Sequence, residues 1–323
     1  MELKSQKVLV IGGAGLIGSH IVDQLVREGA EVRVFDSFIR GREENLAWAK
    51  DHGNLKIIKG DIRDKAAVRA AMKGCRLVNH QAACWLRACQ DDPRLSLEVN
   101  IIGTFNILEC CAELGIEKIV AASSSSVYGE GLYLPTDENH PFNNDLFYGA
   151  SKVCNEQHYR CFAKKYGLDF IAFRYLNVYG PRQPFQAAYM DVVMHFLNRI
   201  EAGEPPLIDG DGSSTLDLVH VVDAARANIL AMNSDLKNHF FNVCSGVETS
   251  VKELAEVLLR LKNRTDIKPI YRPRDSALVT RRWGDPAKAR KMLDFRPEIG
   301  LEEGLMSVIA WRQEMNGLPP VNP

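Results

Sequence analysis

The run Lys7-Val8-Leu9-Val10-Ile11, followed by Gly12-Gly13-Ala14-Gly15-Leu16-Ile17-Gly18, restricts this chain more than any other segment. A short apolar run ending at glycine reads as a strand buried on both faces, the habit of a parallel sheet. From Ser19 to Glu28 the sequence is helix-compatible, so the glycines occupy a strand-to-helix turn. The spacing gives each a task. Gly12 permits the tight turn, Gly15 lets backbone approach a pyrophosphate, and Gly18 allows helix and strand to pack closely. The helix N-terminus, with Leu16 and Ile17 in its first turn, attracts phosphate charge.

The same rhythm continues along the N-terminal half. Glu31–Phe35 closes at Asp36, Leu55–Lys59 at Gly60-Asp61, and Arg76–His80 at Gln81-Ala82-Ala83. Lys118–Ala122 closes at the run Ser123-Ser124-Ser125-Ser126, and Phe170–Tyr175 leads to Asn177. Helical periodicity separates most of these strands, which predicts an α/β fold with one doubly wound parallel sheet. Ligands of such sheets bind beyond the carboxyl ends of the strands, where Asp36, Asp61, Ala82, Ser124 and Asn177 fall. Asp36 stands about 20 residues past the glycines, the place of a carboxylate that binds ribose hydroxyls. It would repel a 2′-phosphate and so favours NAD over NADP, although Arg40 and Arg42 are near enough to offer a phosphate charge.

Composition sets the limits. With 323 residues there is room for a second lobe. Forty basic residues against 41 acidic ones give no reason to expect a nucleic acid or another polyanion as partner. No apolar run is long enough to suggest a membrane span, and Met1–Lys4 leads straight towards a strand, so a cytoplasmic protein is expected. The eight cysteines show no CxxC spacing, which predicts reduced thiols and no metal site.

Chemistry enters with Tyr148 and Lys152 in Phe147-Tyr148-Gly149-Ala150-Ser151-Lys152. On a helix these two lie on one face. A phenol has an ordinary pKa of about 10. A positive charge ~4 Å away, at an effective dielectric near 20, is worth roughly 4 kcal/mol. That is about three pK units, enough to bring a tyrosine near neutrality as an acid/base. The serine run upstream offers hydroxyls to the same reacting oxygen.

Together, Gly12-x-x-Gly15-x-x-Gly18, Asp36, Asp61-Ile62, Ala82-Ala83, Asn100, Ser124 and Tyr148-x-x-x-Lys152 resemble an extended short-chain dehydrogenase/reductase. Arg174-Tyr175-Leu176-Asn177-Val178-Tyr179-Gly180-Pro181 adds a motif of its NAD-dependent nucleotide-sugar epimerase/dehydratase branch, the UDP-glucose/galactose 4-epimerase-like proteins. The resemblance runs from about residue 7 to about 312. It implies a Rossmann domain over 1–175 with a return segment at about 212–244. A smaller α/β lobe over 176–211 and 245–323 would hold a nucleoside-diphosphate sugar. It further implies NAD contacts from Gly12, Gly15, Leu16, Ile17, Gly18, Asp36, Asp61, Ile62, Ala82, Ala83, Asn100, Tyr148, Lys152 and Tyr175. Tyr148 would exchange a proton with a sugar hydroxyl, Lys152 would hold the nicotinamide ribose, and Ser124 would bind the reacting oxygen, with Ser125 the neighbouring alternative. Ser123 and Ser126 are expected to cap local backbone.

The same resemblance selects a reaction by what is missing. Dehydratases of the family carry an Asp–Glu pair just after the serine, where this chain has Ser125 and Ser126. The simplest remaining chemistry is 4-epimerisation through a 4-keto sugar; net redox or elimination is the alternative. Relatives place an arginine before Asp217, and here that position is Leu216. Arg182, Arg272, Arg274, Arg281 and Arg282 are the cations available to compensate. Arg282 either reads an acidic sugar, replaces the diphosphate clamp, or is simply solvated. Arg87 and Asn177 complete the expected substrate contacts with Ser124, Ser125 and Arg282, while Trp85 is expected to pack beneath the sugar pocket. The helices Asn100–Leu114 and Tyr148–Tyr166 are those with which relatives form a two-fold four-helix homodimer.

Overall fold

The structure, a computed structural model, describes residues 2–185, 190–273 and 279–315. Its strands are β1 (Lys7–Ile11), β2 (Glu31–Asp36), β3 (Leu55–Lys59), β4 (Leu77–His80), β5 (Lys118–Ala122) and β6 (Asp169–Tyr175). They continue as β7 (Asn177–Tyr179), β8 (Leu207–Asp209), β9 (Thr215–His220), β10 (His239–Val243), β11 (Glu248–Ser250) and β12 (Ile270–Arg272). Seven form one sheet in the order β10-β6-β5-β4-β1-β2-β3, every pair parallel. The direction of winding reverses between β1 and β4, which opens a crevice beyond their carboxyl ends. There the Gln81 and Ala82 amides both donate to the Ile11 carbonyl, at 2.8 and 3.1 Å. This is the Rossmann arrangement that the alternating strands and helices predict.

Apolar strands bury both faces of the sheet. One face packs the helices Leu16–Arg27 and Val221–Asn233 around Val8, Val10, Ile21 and Ala224. The other packs Lys65–Met72, Thr104–Leu114 and Phe147–Tyr166 around Leu9, Ile11, Leu108 and Phe162. A third core, built from Tyr179, Phe196, Leu197, Leu254, Leu258 and Leu305, lies outside the sheet. Two small sheets accompany it, β11-β9-β7 and β12-β8. Within the expected return segment, β9 therefore pairs in a small sheet, while the helix Val221–Asn233 and β10 join the main layer.

The continuous helical stretch Pro93–Leu114, 22 residues with mean hydropathy 1.3, is long and apolar enough to cross a membrane, contrary to the expectation from sequence. Here it is a core element: Ile107, Leu108, Cys110 and Cys111 are buried against the sheet. Asn100 on the same stretch is buried and hydrogen-bonded to the Ser151 hydroxyl at 3.1 Å. All eight cysteines are free thiols.

Candidate active site

At the reversal point the glycine turn is forced by contact distances. Gly12 has φ +80°, and a Cβ there would lie 2.6 Å from the Ala82 amide nitrogen. A Cβ on Gly18 would come within 2.1 Å of the Gly12 carbonyl oxygen, so only glycine lets this helix approach β1 so closely. Gly15 is different: its Cβ would meet only the Gly12 oxygen at 3.4 Å, and the space it leaves belongs to a cleft. Gly15 also caps the helix Leu16–Arg27 without a side-chain acceptor, and no acid stands in the first turn. The amides there face a site suited to an anion.

The cleft has two communicating compartments. The first, about 250 Å³, is lined by Gly12, Gly15, Asp36, Asp61, Ile62, Ala82 and Ala83. Asp36 accepts from the Ala14 amide at 2.9 Å and the Phe38 amide at 2.9 Å; burial pushes its pKa up while these bonds pull it down. Asp61 is engaged by Arg63 at 2.6 Å, which holds its carboxyl below the ordinary range. The second compartment, about 400 Å³, adds Leu16, Ile17, Gly18, Ser124, Tyr148, Lys152 and Tyr175. Two buried polar atoms here lack a partner: Gln81 Oε1 and Trp85 Nε1, on residues that line both compartments. A partly enclosed cleft with uncapped amides at one end, a buried carboxylate at the other and unsatisfied donors and acceptors between fits a dinucleotide.

Ser124, Tyr148 and Lys152 meet in the second compartment. Ser124 ends the strand as an N-cap, accepting from the Ser126 amide at 3.1 Å, and its hydroxyl pulls the Tyr148 pKa down. Ser125 does not line this compartment; Ser123 does, with its hydroxyl donating to Glu156 at 2.6 Å. Lys152 donates to the Ala122 carbonyl at 2.9 Å, with its ammonium 5.6 Å from the Tyr148 ring centroid. The expected pull of the lysine on the phenol is overridden. Burial pushes Tyr148 up to about 12 and pulls Lys152 down to about 8. Lys152 is buried and Tyr148 half-buried in the cleft wall, where desolvation of the charged form outweighs a cation at this distance.

Behind the pair sits a network that sequence reading missed. Glu156, one turn after Lys152, receives Arg174 at 2.9 and 2.7 Å and is fully buried. Arg174 also donates to the Tyr128 hydroxyl at 3.1 Å, which donates to Asn242 at 2.6 Å. The network ties the helix Phe147–Tyr166 to β6 and β10, fixing where Tyr148 and Lys152 point. The signal was Arg174 alternating with apolar neighbours in a buried strand: an inward-facing arginine requires a buried acid.

Two expected contacts are not brought to the cleft. Asn100 is buried outside it, accepting from the Cys84 amide at 2.7 Å and donating to the Cys84 carbonyl at 3.1 Å and to Ser151. It ties the cleft wall at Cys84 to the helix Phe147–Tyr166. Arg87 stands on the exposed side of the helix Leu86–Asp91, 3.5 Å from Asp91, because the helix turns it away from the strand ends. Conversely Arg40, Gln81, Cys84 and Trp85 line both compartments, with the Arg40 guanidinium stacked 4.4 Å above the Trp85 ring. Trp85 is thus a wall of the cofactor cleft.

A third cavity, about 460 Å³, adjoins the second through Val178 and contains Asn177, Asp191, Leu216, Arg272 and Arg282. Arg182 is committed to Asp23 at 2.6 Å, Arg281 to Glu248 at 2.8 Å, and Arg272 to Asp209. Arg274 lies outside the described residues. Arg282 instead donates to the neutral Asn177 amide oxygen at 3.4 Å, and burial pulls its pKa down. Its backbone is pinned to Thr215, while Asp217, buried and pushed up to about 6, accepts from the Ser245, Gly246 and Gly284 amides. Among the described residues no group of three or more His, Cys, Asp or Glu is arranged to hold a metal ion.

The family model for the NAD dependent epimerase/dehydratase family matches residues 8–244. This chain belongs to that family. The UDP-glucose 4-epimerase of Mycolicibacterium smegmatis is 34% identical over 307 residues, covering 94% of this chain and 97% of that protein. A UDP-N-acetylglucosamine 4-epimerase from Methanobrevibacter ruminantium M1, solved in complex with UDP-N-acetylmuramic acid, superposes with a TM-score of 0.91 at 33% identity. It covers 97% of this chain and 99% of its own. The UDP-glucose 4-epimerase of Thermotoga maritima, solved with UDP-glucose, gives 0.90 at 33% identity, covering 96% and 100%. NAD is the cofactor of the family, and the cleft fits it.

Proposed function

We propose that this protein is an NAD-dependent 4-epimerase of a nucleoside-diphosphate sugar, with a uridine nucleotide as the first candidate. The observation that carries the reading is the meeting of Ser124, Tyr148 and Lys152 where the cofactor cleft adjoins the Asn177–Arg282 cavity. The names of the relatives support the reaction and the nucleotide. Serines at 125 and 126, where dehydratases carry acids, favour epimerisation over elimination.

Gly12, Gly15, Leu16, Ile17 and Gly18 would hold the pyrophosphate of NAD, Asp36 a ribose, Asp61 and Ile62 the base, and Ala82, Ala83 and Tyr175 the cleft walls. Bound NAD supplies a hydride acceptor, then donor, together with the positive charge of its oxidised ring. Tyr148 takes the proton from the sugar carbinol and returns it after the ketone has presented its other face. Ser124 donates to the same oxygen, holding it against Tyr148. Lys152 keeps a positive charge near the phenol and, released from Ala122, has a hydroxyl to bind. Asn177 and Arg282 anchor the diphosphate while the sugar turns.

Residues 1–175 with much of 212–244 then form the cofactor half, and 176–211 with 245–323 the nucleotide half, in keeping with the separate third core. Leu97, Ile102, Phe105 and Tyr166 are exposed on two adjoining helical stretches, which supports a homodimer through that face. Free thiols support a reducing compartment such as the cytoplasm.

The test is incubation of purified protein with UDP-glucose, UDP-N-acetylglucosamine and UDP-glucuronate, with products separated by chromatography and absorbance followed at 340 nm. A 4-epimer formed without net absorbance change supports the proposal; stoichiometric NADH release or an unsaturated product overturns it.

A further inference from the structure

Two thiols that the epimerase chemistry does not use lie in and directly behind the cleft wall. Cys84 follows Ala82-Ala83 at the end of β4 and lines both compartments. Cys89, in the next helix, is completely buried, with its thiol 3.6 Å from the Cys84 carbonyl. The two form a small apolar cluster with Ala88, against which Trp85 and Tyr148 pack. Cys110 and Cys111, the other sequence neighbours, are consecutive on a helix, and their side chains diverge.

The two thiols are not equivalent. The neighbouring Cys89 thiol pulls the Cys84 pKa down, helped by the Trp85 amide and the Arg40 charge, whereas Cys89 is pushed up by Cys84 and by burial. Cys84 is the thiol that faces the cleft, and Cys89 is screened from solvent. That division is the one a dithiol needs when one sulfur meets an oxidant and the other resolves the product.

We propose that Cys84 and Cys89 are a redox-sensitive pair: a hydroperoxide entering the cleft oxidises them to a disulfide, which reversibly inactivates the enzyme. The Cys84 thiolate attacks the outer peroxide oxygen and breaks the O–O bond, giving a sulfenic acid and, after protonation, an alcohol or water. The Cys89 sulfur then attacks Cys84 Sγ; the sulfenic oxygen leaves as water with the Cys89 proton. Two thiols lose two electrons and the peroxide gains them. Asn100 transmits the change. It holds the Cys84 amide and carbonyl, donates to the Cys89 sulfur at 3.6 Å and to Ser151 at 3.1 Å. A covalent bond between the sulfurs loads this clamp and shifts the cleft wall beside Tyr148.

The inactivation half of the inference rests on the proposed function; the oxidation half does not. Holoenzyme is treated with graded hydrogen peroxide, remaining thiols are alkylated, and the protein is digested with trypsin. Cleavage after Arg76, Arg87 and Arg94 puts Cys84 and Cys89 on separate peptides, so a disulfide joins them. The expected result is a linked Leu77–Arg87/Ala88–Arg94 pair, loss of turnover and of retained NAD in step with it, and recovery of both with dithiothreitol. In Cys89→Ser the linked pair is absent and a sulfenic acid at Cys84 becomes trappable with dimedone. Oxidation of the surface thiols Cys154 and Cys161 without any linked pair overturns the proposal, as does a linked pair that leaves turnover and NAD retention unchanged. If no substrate turns over at all, the peptide map and NAD retention still decide it.

Discussion

Arg282 provides the sharpest test of how this protein holds its substrate. Arg182, Arg272 and Arg281 are each paired with a carboxylate, whereas Arg282 donates to a neutral amide at 3.4 Å in a recessed cavity. A charge in such a place is costly until an anion arrives, so free and bound protein should respond oppositely to its removal. In Arg282→Met a charge-assisted hydrogen bond to the diphosphate is lost, worth about 1.5–3 kcal/mol. At 1.4 kcal/mol per decade, that is a roughly 10- to 150-fold rise in Kd for UDP and in KM for the sugar nucleotide. Turnover at saturation should change little, because Arg282 is outside the compartment that holds Tyr148. The melting temperature of the ligand-free protein should stay level or rise, since a poorly compensated cation has been replaced by an apolar chain. Arg282→Lys keeps the charge without the planar fork and should fall between the two. Isothermal titration with UDP and with uridine separates the roles: only the phosphate-bearing ligand should weaken. Unchanged affinity for UDP, or a melting temperature lowered with affinity intact, would refute the reasoning and leave Arg282 as a structural residue.

Other consequences follow from the same geometry. The Lys152 pKa is depressed in the fold from 10.5 to about 8, so the penalty for its charged form is full below pH 8 and disappears as pH rises to 10.5. Differential scanning of Lys152→Met should therefore show its stability relative to wild type falling between about pH 8 and pH 10.5, by up to about 3 kcal/mol; a flat difference contradicts the burial argument. Gly18→Ala should destabilise the protein by about 1–3 kcal/mol, since its Cβ would sit 2.1 Å from the Gly12 oxygen. Gly15→Ala should leave the fold intact and release NAD during gel filtration, and equal melting temperatures for the two variants would contradict the division of tasks. Glu156→Gln removes the partner of a buried arginine and should cost about 3–5 kcal/mol in denaturant unfolding, with no change in KM among molecules that remain folded.

Much of the cleft was legible before any coordinates. The glycines, Asp36, Ser124, Tyr148 and Lys152 stand at fixed offsets from strand ends, and in a parallel sheet every strand end of one kind faces the same crevice. Arg87 and Asn100 were not legible in the same way, because both lie on helical stretches, where a small rotation decides between cleft, core and solvent. Cys84 and Trp85 were missed as cleft walls because nothing in their spacing says that the loop after β4 folds back over it. Glu156 and Arg174 show the intermediate case. An acid one turn beyond Lys152 and an arginine inside a buried strand each suggest an inward polar group, but only packing shows that they answer one another.

The sequence by itself determined the sheet, the cofactor and the placing of Tyr148 and Lys152 on one helix face, since these depend on local periodicity and on residues close to one another along the chain. Only the tertiary structure decided the electrostatics of the site. Whether Tyr148 is pulled down by Lys152 or pushed up by burial, and which of Arg182, Arg272, Arg281 and Arg282 is not paired with a carboxylate among the described residues, depend on desolvation and on ion pairs between distant segments. Those are properties of three-dimensional neighbours, and spacing along the chain carries no record of them.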